Sequence, residues 1–278
     1  MSRIVLVAAI ILALAVEARA YRSITRLGDR QPISLAQLTA AAGSSDLILI
    51  GEAHDNKVHH DMQLEMIRTF AGRQQLAIGL EMMQADNQQQ LDNWTGGSLS
   101  EQAMQAVFSR NWSEDWQLYR DIFIFARENH IPMLALNVPL AIVRKVSQQG
   151  FASLTAQEKQ DLPEGTICDL SNPQIALLKK SFQEVGSHAG TGKIFSNFCE
   201  AQTVRNSGMA IHLARYLKSH PKRTIVVLTG ILHAVKYAIP DQLERNGSKL
   251  SYTVILPETP AFTLDTTSVL EADYLIDP

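Results

Sequence analysis

Four short apolar runs constrain the fold of this 278-residue chain more than any other feature of its sequence. They are DLILIGE (46–52), LAIGLEM (76–82), IPMLALN (131–137) and TIVVLTG (224–230), and a fifth run, YTVILPE (252–258), follows them. The first four are apolar throughout rather than alternating, which is typical of strands that are covered on both faces.

Segments with helical spacing separate these runs, among them HHDMQLEMIRTFAG, SEDWQLYRDIFIFARENH with Ser113 as its capping residue, and CEAQTVRNSGMAIHLARYLKSH before Pro221. Strands that alternate with helices predict an α/β fold, with a mostly parallel sheet and helices on both faces. The region from about 140 to 200 contains no convincing buried strand, so we expect a smaller helical insertion there. For the tail from Glu258 onward we expect irregular structure.

The first twenty residues predict a signal peptide. Arg3 is followed by an apolar stretch, residues 4–16, and by the small-x-small cleavage site Ala18-Arg19-Ala20. Cleavage after Ala20 would leave residues 21–278 as a single domain in the periplasm or otherwise exported. No cysteine follows the apolar stretch, so we expect no lipobox and no lipid anchor. A retained signal anchor is the alternative.

Charge and cysteine content narrow the classes of partner. The formal net charge is −3 and no run of five like charges occurs, which argues against nucleic acid or an anionic membrane as the main partner. The two cysteines, Cys168 and Cys199, are candidates for one disulfide in an oxidising compartment, although the sequence leaves their geometry open.

Polar residues follow the predicted strands at their carboxyl ends: Glu52 and His54, then Glu81, Asn137, Gly230 and His233. The carboxyl ends of parallel strands meet at one edge of a sheet, where open α/β proteins place their ligand crevice. Because one residue separates Glu52 from His54, an extended backbone would direct both side chains to the same face.

Imidazoles and carboxylates act as acids, bases and metal ligands near neutral pH. The candidate catalytic set is Glu52, His54, Glu81 and His233. The candidate set for a divalent metal is Glu52, His54, His60 and His233. In the alternative interpretation His54 and His60 only cap and pack the turn. Asn137 either organises its turn or supports a ligand or carboxylate, and Gln202 either supports the site or lies on a polar helix face.

Five segments in this order resemble the ChaN family of exported bacterial haem-binding proteins. They are LILIGEAHDNKVHHDMQ, LAIGLEMMQADNQQQLDNW, IPMLALNVP, CEAQTVRNSGMA and LTGILHAVKYAIP, which extend from about residue 46 to 240. The family belongs to a wider superfamily with TraB/Tiki proteins and erythromycin esterases. The resemblance implies an α/β core with a smaller helical part.

The same resemblance implies haem binding for iron acquisition, with haems held at a homodimer interface by tyrosine or histidine ligands. An outer-membrane haem receptor or transport system would then be a partner. The ligand candidates here are His188, Tyr119, Tyr216 and Tyr237. The chain departs from the family pattern at Leu140, where a basic residue is expected, and at Asn206, where an acidic one is expected. The region 150–200 also lacks a tyrosine.

Two functional hypotheses follow. The first is an exported haem-binding protein for iron acquisition or haem handling. The alternative is a hydrolase, an esterase or peptidase with or without a divalent metal, that uses the cluster at the strand ends. Haem requires one or two axial ligands and a broad apolar face, so the cluster matches catalysis better. A third interpretation is that the cluster only stabilises the fold. The sequence leaves open whether the chain is an enzyme.

Overall fold

The computed structural model describes residues 21–160, 162–163, 166–188 and 194–278, without the side chains of residues 184–188. The predicted signal peptide, residues 1–20, lies outside the described residues, and so does the side chain of His188. Within the described residues, no helix is both long enough and apolar enough to cross a membrane.

The described strands form one eight-stranded sheet in the order β2-β1-β8-β7-β3-β6-β4-β5. Their bounds are β1 Ser23–Arg26, β2 Gln31–Ile33, β3 Leu47–Glu52, β4 Leu76–Gln84, β5 Met133–Asn137, β6 Thr224–Gly230, β7 Tyr252–Pro257 and β8 Tyr274–Asp277. The pairs from β8 to β5 are parallel, whereas β1 is antiparallel to both β2 and β8. The predicted α/β fold with a mostly parallel sheet is confirmed.

The helices, in chain order, are α1 Leu35–Ala42, α2 Lys57–Ala71, α3 Gln88–Thr95, α4 Glu101–Asn111, α5 Trp116–Glu128, α6 Leu140–Gln149, α7 Gln174–His188, α8 Phe195–Ser219, α9 Ile231–Ala234 and α10 Ile239–Arg245.

The prediction that Ser113 caps α5 was wrong. The cap is Asp115, whose carboxylate accepts the Gln117 N–H at 3.0 Å. An ionised oxygen is a strong acceptor for the unpaired amides of a first helical turn.

Alternating residues of the buried strands pack into two cores on opposite faces of the sheet. On one face Ile48, Ile50 and Leu228 pack with apolar residues of α2, α4 and α5. On the other face Leu47, Leu49 and Val227 pack with residues of α8 and α10. Both faces are therefore covered, which is why these strands are apolar throughout.

The tail is more regular than we expected. Residues 274–277 form β8, which lies between β7 and β1, and Leu275 and Ile276 are buried. Four residues are too few for a periodic pattern, so hydrogen bonding to the two neighbouring strands decides this conformation.

The described part of the chain between β5 and β6 is helical and contains no strand. Val138, Val146, Leu162 and Val204 belong to a small separate core of α6, α8 and the segment between them. A disulfide joins Cys168 to Cys199, with 5.5 Å between the Cα atoms, and so connects the segment before α7 to α8.

Candidate functional site

A cleft of about 580 Å³ lies between the carboxyl ends of β3, β4 and β6 and the helices α7 and α8. We call it the strand-end cleft, and its polar lining includes Glu52, His54, Glu81, Gln202, Arg205 and His233. The structure thus brings the four predicted catalytic side chains together. They converge because parallel strands bring their carboxyl ends to the same edge of the sheet.

Glu52 is the last residue of β3, and its side chain is completely buried. Its Oε1 accepts hydrogen bonds from His54 Nδ1 at 2.9 Å and from the Tyr119 hydroxyl at 2.5 Å. Its Oε2 accepts one from Gln63 Nε2 at 2.8 Å. Three donors therefore hold the carboxyl group, and His54 is the one that faces the cleft.

The His54 side chain is 33% exposed, and its ring meets the Trp112 ring edge-on at 4.9 Å. Its Nε2 lies against Gly230, where an added Cβ would be only 2.7 Å from both Nε2 and Cε1. Glycine is therefore required at position 230 for the His54 ring to occupy this position. Burial alone would lower the pKa of His54, but the hydrogen bond to Glu52 and the charges of Glu81 and Glu52 outweigh it, so the pKa is raised.

Glu81, near the end of β4, is also fully buried. Its Oε1 accepts a hydrogen bond from Arg205 Nη2 of α8, and its Oε2 accepts the Gly230 N–H at 2.7 Å. Burial alone would raise its pKa. The charges of His233 when protonated, of Arg205 and of His54, with the Gly230 N–H, lower the pKa to about 2. Glu81 is therefore an ionised carboxylate at neutral pH.

Asn137 holds this arrangement in place. Its Nδ2 donates to the backbone oxygen of Glu81 at 2.9 Å, and its Oδ1 accepts from Arg205 Nε at 3.4 Å. Of the two interpretations of Asn137, support of a carboxylate residue in the site agrees with these contacts.

His233 lies at the end of a chain of hydrogen bonds that begins on α7. Asn206 Nδ2 donates to Gln174 Oε1 at 3.3 Å, so its Oδ1 is the atom that accepts from His233 Nδ1 at 2.5 Å. His233 Nε2 lies 3.5 Å from Glu81 Oε1. Burial lowers the pKa of His233 to about 3, against the charge of Glu81. Asn206 is a neutral residue and supplies no charge to stabilise an imidazolium.

The predicted metal site receives no support from this geometry. His60 is buried and does not line the cleft: its Nε2 lies 3.0 Å from the backbone oxygen of His54 and its Nδ1 3.3 Å from Gln63 Oε1. These contacts match the packing role for His60. Among the described residues, no group of three or more His, Cys, Asp or Glu side chains is arranged to hold a metal ion.

The haem-ligand candidates do not meet in this cleft. Tyr119 is fully buried, and its pKa is raised by burial and by Glu52, so it presents no accessible oxygen to an iron atom. Tyr216 lines a different groove, beside β5. Burial and Glu271 raise the pKa of the half-buried Tyr237 to about 12. The side chain of His188 is outside the described residues.

Sequence reasoning missed two cationic residues of the cleft, Arg205 and Lys180. Arg205 is 124 residues from Glu81 in the chain, and Lys180 lies on α7. Each is an ordinary helical residue in its local sequence, and no spacing rule connects either of them to the strand ends. Tyr119 was singled out, but as a haem ligand rather than as the partner of Glu52.

Comparison with known proteins agrees with this architecture. A solved structure described as cofacial haem binding to ChaN of Campylobacter jejuni superposes with a TM-score of 0.75 and 16% identity, over 92% of this chain and 96% of that one. A structure of an erythromycin esterase in its open conformation has a TM-score of 0.49 and 15% identity, over 85% and 76% of the two chains. At these identities the ChaN likeness shows the fold.

Among curated proteins, the chain is 25% identical over 121 residues to the chloroplastic protein RETICULATA-RELATED 5 of Arabidopsis thaliana. That match covers 41% of this chain but only 16% of the plant protein. The family described as haem-binding uptake, Tiki superfamily, ChaN matches residues 38–243, which is most of the chain and includes every polar residue of the site discussed above. The chain belongs to this ChaN family.

Proposed function

We propose that this protein binds haem in the strand-end cleft and acts as an exported protein of iron acquisition or haem handling. The observation that carries the proposal is the position of His54. Its Nδ1 donates to the buried Glu52 carboxyl, and its other nitrogen is at the cleft beside Gly230. Histidines that bind a metal commonly donate their second ring N–H to a carboxylate, which fixes the ring and increases its basicity.

The cleft also has the other features that a haem group requires. Leu177, Ile231 and Phe262 provide apolar surface for a porphyrin face. Arg205 and the exposed Lys180 provide positive charge for the two propionate groups. When bound, the haem would supply an iron centre with strong visible absorption. The chain's own residues hold and orient it.

Export and assembly are part of the same proposal. The predicted signal peptide supports export, and the cofacial haems described for the Campylobacter jejuni ChaN suggest that two copies of this chain bring two haems face to face. Hemin-dependent dimerisation, measured by sedimentation with and without hemin, tests the assembly. Separation of the periplasmic fraction tests the location.

Titration of the purified protein with hemin tests the binding site. We expect a saturable shift of the Soret band. We expect His54→Ala to weaken hemin binding at least tenfold, because the variant lacks the imidazole that would hold the haem. The matched control is His130→Asn. His130 is exposed, lies between α5 and β5, and has φ 51°, a conformation that asparagine also adopts. An unchanged titration of His54→Ala would reject the site, and absence of any saturable shift would reject haem binding.

The Glu52–His54 pair also favours a second candidate function, a metal-independent hydrolase. His54 would take a proton from water as the water oxygen adds to an ester carbonyl carbon, and the proton would return to the departing alkoxide. Arg205, 17% exposed in the cleft, would stabilise the negative oxygen. The rate should rise with pH as His54 loses its proton and becomes a base. Because the pKa of His54 is raised, this rise should occur above the pH at which an ordinary histidine titrates.

An assay with a panel of aryl and alkyl esters in the presence of a chelator separates the two functions. Turnover that is lost in His54→Ala, retained in His130→Asn and unaffected by the chelator would support the hydrolase. A protein that binds hemin but turns over no ester of the panel would leave haem binding as the function of the cleft.

A further inference from the structure

A second and larger cleft, of about 850 Å³, lies along the outer side of the edge strand β5. We call it the edge groove. It shares no lining residue with the strand-end cleft, and its volume is in the range of cavities that bind small organic ligands. The proposed haem function makes no use of it.

The free edge of β5 does not offer hydrogen bonds to an added strand. Gln88 accepts the Ala135 N–H through Oε1 at 2.9 Å and donates through Nε2 to the Met133 oxygen at 2.8 Å. His212 Nδ1 donates to the Leu136 oxygen at 2.7 Å. Peptide recognition by strand addition requires such backbone groups to be free, so an extended peptide is a poor candidate for this groove.

The two sides of the groove differ in chemistry. The floor is apolar and includes Leu134, Val138 and Ile142. The opposite wall is one face of α8, where residues at positions i, i+3, i+4 and i+7 line the groove: His212, Arg215, Tyr216 and Ser219. A ligand of the edge groove therefore needs an apolar part together with a polar or charged group.

A planar platform lies at the end of that wall. The rings of Tyr216 and His220 are stacked, with centroids 4.2 Å apart and planes 15° apart. Arg223 lies at the same end, and one of its five N–H donors is used by the Leu76 oxygen at 2.8 Å. The platform suits an aromatic ring, and the guanidinium suits an anionic oxygen beside it.

The acidic residues of the groove already have partners. Asp92 accepts from Gln88 at 2.9 Å, Asp86 accepts from Asn87 at 2.7 Å, and Glu158 is paired with Lys145 at 2.7 Å. Lys145 thus compensates the charge of Glu158, whereas Asp92 and Asp86 are held by neutral amides. Arg223 is likewise held by a neutral carbonyl within the described residues, so its charge is available to an anionic group.

We propose that the edge groove is a binding site for an aromatic carboxylate. The aromatic body packs on the apolar floor and on the Tyr216–His220 platform, and the carboxylate pairs with Arg223. The groove is thus a second ligand site in a molecule whose strand-end cleft serves a separate function.

A pair of fluorescent dyes with the same aromatic body tests this assignment. One is 8-anilinonaphthalene-1-sulfonate, whose sulfonate represents the carboxylate, and the other is uncharged N-phenyl-1-naphthylamine. We expect saturable binding of the anionic dye at one site per chain, and displacement by 2-naphthoate but not by 2-naphthalenemethanol. Arg223→Gln should lower the affinity for the anionic dye about fivefold, as expected for loss of a partly exposed charge pair. Its affinity for the neutral dye should stay within about twofold of the wild type.

Further variants separate the ring contact from the charge. Tyr216→Ala should lower the affinity for both dyes. Tyr216→Phe should leave both affinities unchanged, because phenylalanine keeps the ring. Arg22→Gln, at the opposite edge of the sheet, is the control for loss of a surface arginine. Urea unfolding of each variant verifies that it is folded. Three results would overturn the proposal. They are dye binding that does not saturate, dye affinity that is unchanged in Tyr216→Ala, and an equal loss of affinity for both dyes in Arg223→Gln.

Discussion

Glu52 Oε1 accepts a hydrogen bond from His54 Nδ1 at 2.9 Å, although the two residues are separated in sequence only by Ala53. This contact turns the second ring nitrogen of His54 toward Gly230 and the cleft. The same carboxyl group is held from the other side by Tyr119 and Gln63. A buried acidic group thus orients a partly exposed histidine, as either of the proposed roles of His54, haem ligand or general base, would require.

Replacement of Glu52 by glutamine should lower the pKa of His54. Burial already acts to lower that pKa, and the hydrogen bond to Glu52 is the main effect that opposes it. The variant should also lose roughly 1–3 kcal/mol of unfolding free energy, because buried donors would face an amide. An NMR titration of the His54 ring protons measures the first effect and urea unfolding the second. Glu128→Gln, at an exposed position, is the control. A pKa that stays raised would contradict the assigned contact.

The buried His233 predicts a loss of stability on acidification. Its pKa is about 3 in the folded protein, below the ordinary value of 6.5, so below pH 6.5 the unfolded chain binds a proton that the folded chain does not. Unfolding free energy should therefore fall as the pH decreases from 6.5, by roughly 2 kcal/mol between pH 6 and pH 4.5 from this residue.

Comparison of the wild type with His233→Asn measures that contribution between pH 4.5 and pH 6.5, where the coupled carboxylate of Glu81 is ionised in the wild type. The pH dependence of the wild type, measured by urea unfolding at several pH values, should be the steeper one. Equal slopes would indicate that the pKa of His233 is not lowered in the folded protein.

Gly230→Ala should disturb the site by steric contact alone. The backbone of Gly230 has φ −56°, which alanine adopts readily, but the new Cβ would lie 2.7 Å from the His54 ring. We expect loss of hemin binding and a decrease in stability of roughly 1–3 kcal/mol. Gly28→Ala is the matched control, because nothing lies within 4 Å of its added Cβ. Normal hemin binding in Gly230→Ala would show that the observed position of His54 is not required.

Removal of the disulfide should destabilise the part of the chain between β5 and β6. The Cys168–Cys199 bond closes a loop with a sequence separation of 31 residues. In the chain-entropy model such a loop corresponds to roughly 3–4 kcal/mol. The double variant Cys168→Ser, Cys199→Ser should unfold at lower urea concentration than the wild type. Reductant should have the same effect on the wild type and none on the variant, and equal midpoints would refute the expectation.

The strands of the sheet differ in how far their sequences predict them. β3, β4, β5 and β6 are buried on both faces and therefore have continuous apolar runs that stand out from their surroundings. β1, β2 and β8 have three or four residues each, and partner strands rather than local pattern decide their conformation. The cap of α5 was missed because Ser113 and Asp115 are both good capping residues, and only the path of the chain distinguishes them.

By itself the sequence determined the alternation of strand and helix, and with it the meeting of Glu52, His54, Glu81 and His233 at one edge. That inference is secure because side-chain periodicity and the direction of parallel strands are local properties of the backbone. Only the tertiary structure decided that Arg205 pairs with Glu81, that Tyr119 supports Glu52, and that α8 borders two separate clefts. These contacts depend on how helices far apart in the chain pack across the sheet, and the burial of their apolar faces leaves no local signal of which polar side chains will meet.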